Sequence, residues 1–144
     1  MTNGFKILGV EHIGLAPKNI ADLRKILGSL LGLRFTGEEL VPSQQTQTYF
    51  YESEEMSPRL EVLEAAGGQG PIAAFLEKKG AGIHHIALRV DHLEAALAFL
   101  TQNGVELIDK QPRPGAHGSK IAFLHPRASG GILIELVETA PSKG

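Results

Sequence analysis

A chain of 144 residues with 42% hydrophobic composition can bury one respectable core, so one compact unit or two small fused modules fit and a large second domain does not. Its formal charge of -2 comes from evenly scattered acids and bases without the basic stripe that phosphate backbones require, which argues against a nucleic-acid partner. Zero cysteines exclude a disulfide framework and thiolate chemistry, and no N-terminal apolar stretch approaches a signal peptide or a membrane span, so a soluble, cytoplasmic protein with no membrane partner is expected.

In chain order, "FKILGVEHIGLA" reads as a strand, and Asn19 then stands at an N-cap position before Ile20, Leu23, Leu27 and Leu30, which are spaced as a helical stripe ending at Gly32. Three β-like runs follow, "LRFTGEEL", "QTQTYFYE" and "RLEVLEA", separated by turn residues, with the acidic "ESEEMS" as a hairpin loop. "GPIAAFLEKKG" predicts a linker helix over about 70–80, with Pro71 at its first position, Gly80 at its stop, and Lys78 and Lys79 complementing the dipole at its exposed end. The pattern then restarts with a strand "GIHHIALRV", a helix from His92 to about Gln102 with Leu93, Ala96, Leu97 and Leu100 inward, and strands near "VELIDK", "SKIAFLH" and "GILIELVE".

Sliding the chain on itself by 73 residues lays "VEHIGLAPKNIADLRKIL" over "IHHIALRVDHLEAALAFL", placing His12 on His85 and Phe50 on Phe123. One further residue of offset lays "LEVLE" over "IELVE" and puts Glu61 on Glu135. The expected architecture is therefore α+β: two tandem β-α-β-β-β modules, about 6–66 and 82–139, forming a curled mixed sheet within one domain that spans residues 1–144.

Strand alternation separates the paired histidines, because successive side chains point to opposite faces. His85 shares a face with Ala87 and Arg89, as His12 does with Gly14 and Ala16, and such small neighbours leave room for a ligand. His84 lies on the Ile86, Leu88 and Val90 face, as a core or rim residue. Glu135 stands among apolar residues, where an ionised carboxylate needs a partner to offset a desolvation cost of several kcal/mol. Two histidines and two glutamates at equivalent places can converge on a divalent metal such as Mn, Co, Fe, Ni or Zn, the alternative being two His-Glu hydrogen bonds. Four protein ligands leave two positions open on an octahedral ion, suited to an oxygen chelate and to proton abstraction beside a carbonyl.

The repeated unit with its paired His and Glu resembles the vicinal oxygen chelate superfamily, which includes glyoxalase I and the extradiol dioxygenases. Within it, "SKIAFLHP", "GGILIELVE", "PIAAFLEKKGAGIHHIALRVD" and above all "LIDKQPRPGAHG" resemble the methylmalonyl-CoA epimerase family, the similarity running from "VEHIGLA" to "IELVE". The resemblance implies epimerisation of methylmalonyl-CoA at C2 through a metal-stabilised thioester enolate, a divalent cofactor (Co, Mn, Ni, Zn or Mg), an acyl-CoA substrate and a homodimer. Carried over by position, the metal ligands are His12, Glu61, His85 and Glu135, with Glu135 also a catalytic acid-base group. Relatives often hold Gln at the Glu61 position, so Glu61 would weaken the Lewis acidity of the ion.

One departure concerns the second acid-base group, a glutamate in some relatives, where this chain has Thr48 in "PSQQTQTYFY". A threonine hydroxyl is too weakly basic for that task, leaving Gln44, His117 and a metal-bound water as candidates. Arg113, Lys120 and Arg127 near strand ends could meet CoA phosphates or the substrate carboxylate, or be solvated surface. Two other readings share the fold: a glyoxalase-I-type isomerase of glutathione hemithioacetals, and a non-catalytic small-molecule-binding protein.

Overall fold

The computed structural model describes residues 4–55 and 58–141; Met56 and Ser57 of the acidic loop lie outside the described residues. The chain folds as two compact units, a first of His12–His84 and a second that joins Met1–Glu11 to His85–Gly144. Each has the same internal plan.

In the first unit, β1 (Ile7–Ala16) contributes its second half, followed by α1 (Ile20–Arg24), β2 (Arg34–Val41), β3 (Thr46–Glu52), β4 (Arg59–Ala65) and α2 (Pro71–Lys79). β1 pairs parallel with β4, which pairs antiparallel with β3, and β3 antiparallel with β2, giving the order 2-3-4-1. Asn19 caps α1, its Oδ1 accepting from the Asp22 amide at 3.0 Å. The helical stripe continues through a π-helical turn, Lys25–Leu30, in which Leu27 is buried but Leu30 is 63% exposed. Widening that turn rotates the stripe off the sheet, so the expected apolar face stops short of Leu30.

The two faces of this sheet are covered differently. Leu27, Tyr51 and Val62 form one buried cluster with Ile20 and Leu23 of α1. Arg24 ties α1 to the same face, its Nε donating to the Tyr51 hydroxyl at 2.9 Å and its guanidinium stacking 4.3 Å from the Tyr49 ring. On the other face, Ile72 of α2 packs on Ala16 and Leu63, with Phe75 and Leu76 around them. The segment expected to be a linker is thus a packed element of the first unit.

The second unit contains β5 (Gly82–Val90) from His85 onward, α3 (Leu93–Gln102), β6 (Arg113–Pro114), β7 (Lys120–Phe123) and β8 (Ile134–Glu138). β5 pairs parallel with β8, β8 antiparallel with β7, and β7 antiparallel with β6, so the order is 5-8-7-6. Leu93, Ala96 and Leu97 of α3 are buried with Val90, Leu107, Ala122 and Leu136. The amide of Leu93 finds its acceptor in Glu138 at 2.9 Å, a carboxylate placed where the helix dipole favours it.

Two expectations are corrected here. The run "VELIDK" is not a strand: it makes one isolated bridge, Leu107 to Leu124, and then leaves the ladder. The Asp109 carboxylate accepts from the Phe123 amide at 2.9 Å, a side chain taking the place of a strand carbonyl, and the edge strand is reduced to the two residues of β6. Second, the chain start belongs with the C-terminal half. Phe5 stacks at 5.7 Å on Phe99 of α3, and the Lys6 amide donates to Asp91 at 2.6 Å.

Candidate metal and acid-base site

The histidine and glutamate of each half meet on one face of that half's strands. In the first unit, antiparallel pairing sets Phe50 directly opposite Glu61, and parallel pairing sets Gly14 beside Glu61. Residues directly opposite share a face. Glu61 therefore lies on the side of His12, and Gly14, without a side chain, leaves the space between them open. His12 Nδ1 lies 3.3 Å from Glu61 Oε2, both side chains being buried.

The second unit repeats the register. Phe123 stands opposite Glu135, and Ala87 beside it. His85 Nε2 lies 3.3 Å from Glu135 Oε1, and the His85 ring meets the edge of Phe123 at 5.6 Å. Glu135 is 2% exposed and its neighbours on the same face, Ala87, Ile121 and Phe123, are buried too. All four site residues expected from the sequence are thus buried and paired within their own halves, one imidazole to one carboxylate.

The surroundings of the two carboxylates differ. Glu61 has a second partner, the guanidinium of Arg59, whose Nη2 donates to Oε2 at 2.9 Å. At the matching place in the second unit stands Leu133, which packs against the cluster beneath Glu135. Nothing in the sequence repeat marks Arg59, because its half-module counterpart is apolar.

The remaining candidates fall elsewhere. His84 meets Phe75 of α2 edge-on at 5.0 Å, on the face away from His85. Thr48 is 3% exposed and stands opposite Leu63 on one side and Glu39 on the other. Tyr49 points the other way, its hydroxyl donating to Glu64 at 2.9 Å; burial, and next that carboxylate, raise its pKa. His117 is exposed, with φ of 56° in a tight turn. Arg113 pairs with Asp109 at 3.1 Å and lies over Phe123, Lys120 is 3.8 Å from Glu138, and Arg127 grips Glu106 at 2.7 Å.

Each unit thus offers one buried imidazole and one buried carboxylate, donor types that suit a divalent first-row ion. Over residues 11–123 the sequence matches the glyoxalase/bleomycin resistance protein/dioxygenase superfamily. YqjC of Bacillus subtilis, an uncharacterized protein, is 42% identical over 90% of this chain and 91% of its own length. The mitochondrial methylmalonyl-CoA epimerase of Dictyostelium discoideum is 32% identical over 90% of this chain and 77% of its own. A solved methylmalonyl-CoA epimerase in complex with methylmalonyl-CoA and NH4+ has a TM-score of 0.87 at 28% identity, covering 94% of this chain and 96% of that one.

The duplicated β-α-β-β-β fold is accordingly that of a vicinal oxygen chelate protein. Within that superfamily the chain belongs to the methylmalonyl-CoA epimerase family, a family of isomerases.

Proposed function

We propose that this protein is a metal-dependent methylmalonyl-CoA epimerase in which His12, Glu61, His85 and Glu135 hold one divalent ion and Glu135 moves the proton at C2. The observation that carries the reading is the repeated register: Glu61 opposite Phe50 and Glu135 opposite Phe123, each with a buried histidine 3.3 Å away. When bound, the ion supplies Lewis acidity toward the thioester carbonyl and so acidifies the adjacent C–H.

The chain's own groups do the rest. Glu135, buried against apolar neighbours, is the carboxylate suited to accept a proton, since a neutral carboxyl costs less to bury than a charged one. The C2 proton passes to that carboxylate, the C–H electron pair moves into the thioester as an enolate, and a proton returns to the opposite face of C2. Thr48 supplies no base for the return, being a buried hydroxyl, and Gln44 is an amide, so the return proton is assigned to water or to His117. Burial of Glu135 keeps bulk water from the carboxylate that accepts the proton.

The same reading makes the protein a cytoplasmic homodimer that takes an acyl-CoA. Apolar surface on β1 supports the dimer, with Ile7, Leu8 and Val10 each more than 40% exposed. Among the described residues no helix is long and apolar enough to cross a membrane.

The test is proton NMR of methylmalonyl-CoA in deuterated buffer, first with metal-free protein and then with catalytic Co or Mn, against metal alone. Metal-dependent deuterium exchange at C2 is expected, and Glu135→Gln should slow it by about 100-fold or more, the usual size of a general acid-base contribution. Full exchange by that variant sinks the assignment of Glu135. No exchange by the metal-loaded wild type sinks the epimerase reading, and turnover of methylglyoxal with glutathione is then assayed.

A further inference from the structure

The two halves carry the same glutamate on the same face, yet the residue two places before it is an arginine in one half and a leucine in the other. Arg59 precedes Glu61 on β4, so the pleat puts both on one face, and the arginine Nη2 reaches Glu61 Oε2 at 2.9 Å. His12 Nδ1 reaches that same oxygen at 3.3 Å. The guanidinium lies over Phe50, 5.2 Å from the ring centroid, and Phe50 is the cross-strand neighbour of Glu61. Arg59 is thus fixed by two contacts in a largely enclosed place, its side chain 21% exposed against 6% for Glu61. In the other half, Leu133 occupies the matching position and packs into an apolar cluster.

This asymmetry has an electrostatic consequence, on the reading that the four residues ligate one dication. Two carboxylates cancel the charge of a dication, and a neutral centre is a poor electrophile. A guanidinium bonded to one of those carboxylates restores one positive charge to the assembly. We propose that Arg59 is a charge-compensating, positioning residue: it holds Glu61 by Oε2, withdraws part of its negative charge from the metal site, and so keeps the site electrophilic while Glu135, with the apolar Leu133 at the matching place, remains the proton carrier.

The proposal rests on the metal reading, and its test separates the two. Co(II) affinity is measured by titration calorimetry for the wild type, Arg59→Met, Arg59→Lys, Glu61→Gln and the double variant Arg59→Met/Glu61→Gln, with a circular-dichroism melt of each. Removing the cation frees Glu61 to bind the ion with its full charge, so Arg59→Met should bind Co(II) about tenfold tighter, a modest Coulomb effect at the effective dielectric of a protein site. It should at the same time catalyse C2 deuterium exchange more slowly. Arg59→Lys, which keeps the charge, should restore both values toward the wild type, and in the Glu61→Gln background, where only direct repulsion of the ion is left, the Arg59→Met change should have a smaller effect on affinity.

A purely structural arginine gives a different pattern: Arg59→Met then weakens Co(II) binding, Arg59→Lys does not rescue it, and the charge-compensation proposal falls. Unchanged affinity in Arg59→Met overturns it equally. Should the folded wild type bind no divalent ion, the metal reading fails and takes this inference with it, whereas wild-type binding that ignores Arg59 removes the inference alone.

Discussion

Tyr49 makes the clearest residue-scale link between burial and pH. Its pKa is raised above the ordinary 10.0, first by burial and next by the hydrogen bond it donates to Glu64. The unfolded chain therefore ionises this phenol before the folded protein does, so its contribution to stability is complete below pH 10.0 and is lost as pH rises through the folded value. Urea midpoints followed from about pH 8 to about pH 11 should fall more steeply for the wild type than for Tyr49→Phe once the unfolded phenol ionises. Equal slopes would show that the hydroxyl is not held in this way. At the start of α1, Asn19→Ala removes the acceptor for the Asp22 amide and should cost about 1 kcal/mol in the same urea experiment, the ordinary value of a lost N-cap.

At the scale of elements, the two halves show one plan executed with different materials. β2 is an eight-residue strand laddered to β3, whereas its counterpart in the second half is two residues long. That short β6 depends on close approach. A Cβ added at Gly115 would lie 2.6 Å from Ile121 Cγ2 and 2.8 Å from Ser119 Oγ, contacts that real side chains do not tolerate. Gly115→Ala should therefore destabilise by about 1–3 kcal/mol, the range for overpacking, read as a drop in the thermal midpoint. Hydrogen exchange should show the loss first in the Arg113 amide and in the amides of β7. The "VELIDK" segment illustrates why such detail escapes pattern reading. Its alternation is that of a strand, but Asp109 satisfies the Phe123 amide from a side chain and ends the ladder, and no local rule foretells that choice.

For the whole molecule, the expected outcome concerns metal and stability together. A ligand that binds only the folded state adds about 2.7 kcal/mol at a hundred times its dissociation constant. Co(II) at that excess should raise the urea midpoint of the wild type, chelator should reverse it, and Glu135→Gln should lose most of the gain. Absence of any shift would mean that the buried imidazole-carboxylate pairs are structural hydrogen bonds. Membership of the methylmalonyl-CoA epimerase family gives the site its chemical context.

The sequence by itself determined the duplication, the faces of the strands and the residue types of the candidate site. These are local properties: a period of two puts His12 and His85 beside small residues, and an offset of 73 exposes the repeat. It also marked Asn19 as a cap and Pro71 and Gly80 as helix bounds, since each acts through its own backbone. Only the tertiary structure decided that residues 5 and 6 pack with the C-terminal half and that the expected linker helix covers Leu63. Those outcomes depend on which distant group fills a space, and strand alternation carries no information about partners across the fold.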